Sequence, residues 1–531
     1  MYSPSLTEYP YPSSRRVILG KNYAAATSQP LATLAGMEMF WSGGNAVDAA
    51  IAMAIALTVV EPTSNGIGSD AFAIVWDGQL HGLNASGRSS QSLNLKEFEE
   101  FDRVPQLGWL PVTVPGAVSA WRALWKRWGK LPFEQLFAPA IRYAEQGYPV
   151  SPETARAWKS AELLFLSQAG KEFEAFKPTF FPNDRAPNPG EIWGSLNHAA
   201  TLREIATTEA ESFYSGKLAE RMANFASETG GYLTMADLAA HQPDWVQPIS
   251  TNYRDLTIWE IPPNGQGIAT LIALNILEGF DLAQYPRDSV TSLHWQLEAM
   301  KLAFADAHQY VADPDWMRVS PAQLLDKPYA AKRRGLIGDR ANFFQAGLPT
   351  GGTVYLAAAD QDLMVSFIQS NYEGFGSGIL IPETGIALQN RGMGFTLEAG
   401  HANQIAPGKR SFHTIIPGFL TQGNQPLGPF GVMGGHMQPQ GHVQVVVNLQ
   451  DYGMNPQAAL DAPRWQVTTG KNIWLEQSVP RSVVLGLSDR GHVIQIKPDG
   501  RNFGKGQVIL RHNGTLIAAS EPRADGLALA G

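Results

Sequence analysis

Residues 348–360 read LPTGGTVYLAAAD. The pair Gly351–Gly352 lets the backbone take up conformations closed to other residues. From Thr353 a run of β-branched, aromatic and small apolar residues begins, and it turns polar at Asp360–Gln361–Asp362. That is the pattern of a short buried strand entered by a strained turn. Two readings stay open from these residues alone. The turn is a loop ahead of a core strand, or the bond before Thr353 is built to break.

The surrounding chain narrows the choice. At 531 residues it has length for three or four domains, and with 44% hydrophobic and 17% charged residues it can bury a large core. The formal net charge is −8 and no basic block occurs, which argues against nucleic acid as a partner. Cysteine is absent, so disulfides, thiolate catalysis and cysteine-held metals are excluded. The N-terminal stretch has no apolar segment of signal-peptide length, and Arg15–Arg16 is followed by only Val17–Leu19 before Gly20 and Lys21. The longest apolar run, 49–60, is too short to span a bilayer. These features imply a soluble cytoplasmic chain with no membrane partner.

Along the chain, residues 1–20 read as a loose Pro- and Ser-rich lead. QPLATLAGMEMFWSGG (29–44) reads as an amphipathic helix closed by Gly43–Gly44. NAVDAAIAMAIALTVVEP (45–62) reads as a buried helix capped by Asn45 or Asp48. DAFAIVWDGQLHGLNASG (70–87) reads as two strands around a turn at Asp77–Gly78. Residues 116–245 are mostly helical in pattern, 253–263 a strand, and 338–352 an exposed linker. From Thr353 the pattern predicts strands at 353–359, 363–370, 443–448 and 507–519. This succession predicts one layered α+β body.

The chemistry-bearing motifs are few. GFGSG (374–378) does not fit the serine-hydrolase elbow G-x-S-x-G, and neither a zinc-protease helix motif nor a phosphate loop occurs. Asp306, His308 and Asp313 lack a spacing that puts them on one helix face, and His436 and His442 likewise form no ligand set. No metal and no cofactor is expected. Thr353 and the pair Gly434–Gly435 in GVMGGHMQPQGH remain. A threonine at a new chain N-terminus carries its own base, because its α-amino group titrates at about 7.7–8.0. Two adjacent glycines can present backbone N–H groups to an oxyanion, although a plain glycine turn has the same spacing.

From about residue 22 to about 520 the ordered blocks resemble the gamma-glutamyltranspeptidases, a family of N-terminal nucleophile hydrolases. The blocks include GGNAVDAAIAMAIALTVVEPTSNGIG (43–68), VPGAVSAW (114–121), PPNGQGIATLIALNILEGFD (262–281), FGSGILIPETGIALQN (375–390) and NPQAALDAPRW (455–465). The resemblance implies a four-layer αββα sandwich made as one chain. It also implies self-cleavage between Gly352 and Thr353, into a large subunit (1–352) and a small subunit (353–531) that stay together as a heterodimer. Thr353 falls on the family's nucleophile, Ser370 on a supporting hydroxyl, and Gly434 and Gly435 on its oxyanion glycines. Arg88, Asn390, His413 and Thr414 fall near positions that face the substrate, a small acyl amide or peptide.

The departures from the family concern substrate recognition. Val354 and Tyr355 stand where the family has a second threonine and a histidine. Gly394 stands where it has an aspartate for the substrate α-amino group, and His413–Thr414 replace a serine pair. The arginine for the α-carboxylate falls near Gln91, leaving Arg88 as the nearby cation. The stretch from Gly394 to Arg410 is short, which implies that the family's lid is missing. These features look more like the cephalosporin-acylase-like branch. The expectation is a cofactor-free threonine amide hydrolase or acyltransferase on gamma-glutamyl or related acyl amides, with hydrolysis over transfer. The rivals are a glutaryl or cephalosporin-type acylase and an unprocessed scaffold.

Overall fold

The structure is a computed structural model that describes residues 14–342 and 352–531. Gly351, one half of the turn before Thr353, and the lead up to residue 13 lie outside the described residues.

The strand Gly352–Ala359 shows how sequence sets the layers. Val354, Leu356 and Ala358 join one hydrophobic cluster, whereas Tyr355, Ala357 and Ala359 join another. Alternation with period two sends successive side chains to opposite faces of a sheet. Its neighbours obey the same rule: Val365 and Phe367 lie on the first side and Met364 and Ile368 on the second. These strands therefore carry apolar residues on both faces and are covered on both.

Two seven-stranded sheets result, with antiparallel pairing at each rung. The first runs Leu527–Ala530, Ala24–Thr27, Gly352–Ala359, Met364–Tyr372, Asp70–Trp76, Leu80–Ala85, Asp244–Val246. The second runs Ile18–Gly20, Thr515–Ser520, Lys505–His512, Gln425–Met433, Gly418–Gln422, Leu256–Glu260, Ile249–Tyr253. The cluster holding Tyr355, Phe72, Phe419 and Ile509 fills the space between the sheets. Helices Pro30–Trp41, Ala46–Val60 and Ala117–Trp128 cover the first sheet, and Gly267–Leu277 and Met437–Gln450 cover the second. This is the expected four-layer αββα sandwich. Gly431 admits the Tyr355 ring between the sheets, since a Cβ there would lie 2.5 Å from it.

The helix Ala46–Val60 is buried over its whole length, and Asn45 and Asp48 close it reciprocally as a capping box. Several expectations need correction. Residues 443–448 are not a strand but part of the helix Met437–Gln450. Its valines pack into the core against the second sheet. Gln440, Gln444 and Asn448, four residues apart, donate to the carbonyls of Val467, Trp465 and Ala459. The strand that reaches the glycine pair is Gln425–Met433, which the sequence pattern did not predict. Residues 507–519 are a hairpin with its turn at Asn513–Gly514. The lead is tied down from Arg15, which donates to the carbonyls of Glu521 and Gly526, and Ile18–Gly20 is a strand.

Of the linker expected at 338–352, Gly338–Asn342 are largely exposed, as expected, and are held by hydrogen bonds; 343–351 lie outside the described residues. Gly338 O accepts from His294, Asn342 O accepts from Lys301, and Asn342 N–H donates to Glu298. Among the described residues no helix is long and apolar enough to cross a membrane.

Candidate active site

Thr353 sits at an irregularity of the sheet. Gly352 pairs with Tyr372 and Val354 with Gln369, so one residue, Thr353, faces two, Ser370 and Asn371. Bulges of this kind are frequent beside active sites, because they re-aim a side chain. The Thr353 hydroxyl lies 3.1 Å from Ser370 Oγ and 3.5 Å from Gln438 Nε2, and all three residues are buried. Ser370 Oγ also accepts the Tyr372 N–H at 2.7 Å, which fixes the rotamer of Ser370.

Gly434 and Gly435 follow the strand Gln425–Met433 and precede the helix Met437–Gln450. Their φ angles of 135° and 58° lie where a residue with a Cβ is strained, which is why glycine is required. Their carbonyls accept the first amides of that helix. Among the described residues neither glycine N–H donates to an acceptor. The helix start adds positive potential to them. Gln266 Nε2 bridges Gly435 O (2.9 Å) and Thr414 O (2.6 Å).

A third group completes the neighbourhood. Arg391 is fully buried; its Nε is 3.2 Å from Asp70 Oδ2 and its Nη1 donates to Thr414 Oγ1 at 2.8 Å. Its guanidinium lies 4.3 Å from the centre of the Tyr372 ring. His413 Nε2 is 2.6 Å from the same Asp70 oxygen. Burial and then Arg391 push the His413 pKa down to about 4, so the neutral ring donates Nε2–H to Asp70 and accepts the Ile415 N–H at Nδ1. Asp70 stands opposite Ser370 in the ladder. A closed circuit therefore runs from Thr353 through Ser370, Asp70, Arg391, Thr414, Gln266, Gly435 and Gln438 back to Thr353.

Six of the residues singled out in the sequence are brought together in this circuit or against it: Thr353, Ser370, Gly434, Gly435, His413 and Thr414. Asn390 borders it. Its side chain donates to Gly376 O and Gln106 O and accepts the Glu373 N–H, which shapes the loop that ends in Arg391. Arg88 is engaged elsewhere, with Asp313 Oδ2 at 3.0 Å and Gly408 O at 3.1 Å. Asp70, Gln266, Arg391 and Gln438 are the members that sequence reasoning missed. At Gly394 a Cβ would lie 2.3 Å from Phe412 O, so the backbone leaves no room for an aspartate. The stretch that follows Gly394 is folded down, with Lys409 donating to Ala402 O and Gln404 O and lying 4.2 Å from the Trp316 ring centre.

Among the described residues one cluster has ligand-type atoms close enough for a metal: His294, Glu298 and His492, within 4.8 Å of one another. Lys301 already takes Glu298, and His294 is held between Gly338 O and His492. The group reads as a buried ion pair with a histidine relay. Asp306 pairs with Arg333, and Asp313 with Arg88.

Comparison with known proteins agrees with this architecture. The profile described as Gamma-glutamyltranspeptidase matches residues 32–531. The chain is 34% identical to the Glutathione hydrolase-like YwrD proenzyme of Bacillus subtilis, over 96% of this chain and 99% of that protein. It is 33% identical to the Oxamate amidohydrolase proenzyme of Klebsiella pneumoniae, over 95% and 97% respectively. The crystal structure of cephalosporin acylase from Bacillus halodurans superposes with a TM-score of 0.96 at 53% identity, covering 100% of this chain and 99% of that one. The chain belongs to the gamma-glutamyltranspeptidase family and is an enzyme of its N-terminal nucleophile type, built for amide hydrolysis and acyl transfer.

Proposed function

We propose that the chain is a precursor that cleaves itself between Gly352 and Thr353 and then hydrolyses acyl amides with Thr353 as nucleophile. The observation that carries this reading is the Thr353 hydroxyl 3.1 Å from Ser370 Oγ, on the residue that directly follows Gly352. In the intact chain the Thr353 hydroxyl adds to the Gly352 carbonyl carbon. The C–N bond breaks as the acyl group moves from nitrogen to oxygen. Water then hydrolyses the ester, leaving a Gly352 carboxylate and a free Thr353 α-amino group. That amine takes the hydroxyl proton in turnover, which a pKa of about 7.7–8.0 suits.

In the substrate step the Thr353 oxygen attacks the amide carbon, and the Gly434 and Gly435 N–H groups hold the developing oxyanion. The amine leaves with the proton, and water releases the acid from the acyl ester. Ser370 and Gln438 position the nucleophile. Hydrolysis is favoured over transfer to amino-acid acceptors, and the α-amino group of a gamma-glutamyl donor lacks the aspartate that Gly394 excludes.

The substrate is an acyl amide whose acyl part carries a charge. The related proteins are named for glutathione, oxamate and cephalosporins, and the acyl parts of the first two carry a carboxylate. A non-glutamyl acylase is the second reading, favoured by the likeness to the Bacillus halodurans enzyme. The relatives' description as proenzymes of hydrolases speaks against an unprocessed scaffold. The test is a denaturing gel of the purified protein with N-terminal sequencing. Cleavage gives residues 1–352 and a small piece beginning Thr-Val-Tyr-Leu; a chain that stays whole on long incubation overturns the reading.

A further inference from the structure

Buried polar groups in folded proteins are almost always paired, so several unpaired ones in one place call for an explanation. Beside Thr353 four such atoms occur among the described residues: Arg391 Nη2, Asp70 Oδ1, Glu373 Oε1 and Asn371 Nδ2. Arg391 spends Nε on Asp70, Nη1 on Thr414 and its face on Tyr372, and Nη2 is left without an acceptor. A guanidinium is planar with its donors in a fixed fork, so the free Nη2 offers a directional site that suits a carboxylate oxygen.

The charged groups acting on Arg391 are Asp70 and Glu373, and the exposed Arg103 acts on Glu373. Burial pushes the Glu373 pKa up to about 7, with Arg103 and Arg391 opposing. While Glu373 is protonated, Asp70 is the carboxylate that faces Arg391, and an incoming carboxylate supplies the acceptor that Nη2 lacks. Arg88 does not compete for this role, since its side chain is 41% exposed and bound to Asp313.

We propose that Arg391 Nη2 anchors a carboxylate on the acyl part of the substrate, so that the preferred donors are monoamides of short dicarboxylic acids. The inference rests on Thr353 being the nucleophile, because the circuit through Ser370 and Asp70 is what sets Arg391 beside the reacting bond. Arg391 selects the donor by position and charge and takes no part in bond making.

The experiment compares matched p-nitroanilides on the processed wild-type enzyme: malonyl, succinyl, glutaryl and adipyl, against pentanoyl, which lacks the second carboxylate. At least one diacid donor should exceed pentanoyl by tenfold or more in kcat/KM. Glutarate should inhibit pentanoyl anilide hydrolysis competitively, and butyrate should not. These two measurements need no variant. In the exchange D70N/R391Q, which removes both charges together, the preference should fall at least tenfold. Arg391→Lys should keep part of it. Cleavage at Gly352 reports that each variant has folded. Equal rates for pentanoyl and every diacid donor, or a preference that survives D70N/R391Q, would overturn the inference while leaving Thr353 in place. An uncleaved chain that hydrolyses nothing would instead overturn the nucleophile reading, and the anchor with it.

Discussion

Ser370 and Asp70 stand opposite each other in the antiparallel pair formed by Met364–Tyr372 and Asp70–Trp76. Side chains so placed share one face of the sheet and lie about 5 Å apart at Cβ. One of them touches the Thr353 hydroxyl and the other holds Arg391. A single rung of the ladder thus sets the spacing between the proposed nucleophile and the proposed charged subsite. A slip of one residue would turn both away together, and the buried alternation of these strands forbids that slip.

Thr353→Ala is expected to remain one chain and to be inactive, because one hydroxyl serves both processing and turnover. Thr353→Ser keeps a hydroxyl and should still cleave, more slowly. Intact-mass measurement over time decides this. Normal cleavage of the alanine variant would remove Thr353 from its role.

Ser370→Ala should slow cleavage and turnover without abolishing either. A hydrogen bond of this kind contributes about 0.5–1.5 kcal/mol net, which corresponds to roughly two- to thirteenfold in rate at about 1.36 kcal/mol per decade. Single-turnover rates measure it. A loss beyond about a thousandfold would mean that Ser370 handles a proton rather than holding the nucleophile in place.

Much of this was legible in the sequence where local rules and tertiary structure agree. The helix cap at Asn45 or Asp48, the turn at Asp77–Gly78 and the buried strand after Thr353 all formed as read. The run at 443–448 misled because its valines favour a strand, whereas the deciding signal is the spacing of Gln440, Gln444 and Asn448. Their amides bond a neighbouring backbone segment, and a partner distant in sequence leaves no mark in local propensity. Arg88 drew attention as a cation close to a family position. Arg391 was missed for the same reason that Asp70 was: each is defined by a partner more than three hundred residues away.

Gly434→Ala is expected to lower kcat at least tenfold with little change in KM. The backbone there has φ of 135°, and the new Cβ would lie 3.1 Å from Gly504 Cα. Strain of about 1–3 kcal/mol would be relieved by turning the peptide, and with it an N–H aimed at the oxyanion. Steady-state kinetics check this. An unchanged kcat would place the oxyanion site elsewhere.

The buried pair Lys301–Glu298 holds Asn342, the last described residue before Gly352. Lys301→Met leaves Glu298 buried without its counter-charge, a change that costs about 3–5 kcal/mol. The double variant K301M/E298Q should recover much of that loss. Denaturant unfolding of the three proteins measures it. A single variant as stable as wild type would show that the pair contributes nothing to stability.

The last prediction concerns pH and the donor. A gamma-glutamyl group carries an ammonium beside its carboxylate, and a glutaryl group carries the carboxylate alone. With the carboxylate on Arg391, the ammonium comes near Glu373, the other acidic group of the neighbourhood with an unpaired oxygen. Burial raises the Glu373 pKa to about 7, against the charges of Arg103 and Arg391, while the Tyr372 hydroxyl, raised above its usual value, stays neutral. Below pH 7 Glu373 is neutral and gives the ammonium nothing; above pH 7 it is an anion and attracts it. The ratio of kcat/KM for gamma-glutamyl over glutaryl anilide should therefore rise between pH 6 and pH 8. Titration of the Thr353 α-amino group falls in the same range but acts on both donors alike, so it cancels in the ratio. In Glu373→Gln the ratio should be flat across that range. If the wild-type ratio is flat, or if the rise persists in Glu373→Gln, Glu373 does not face the donor and the ammonium is met by another group.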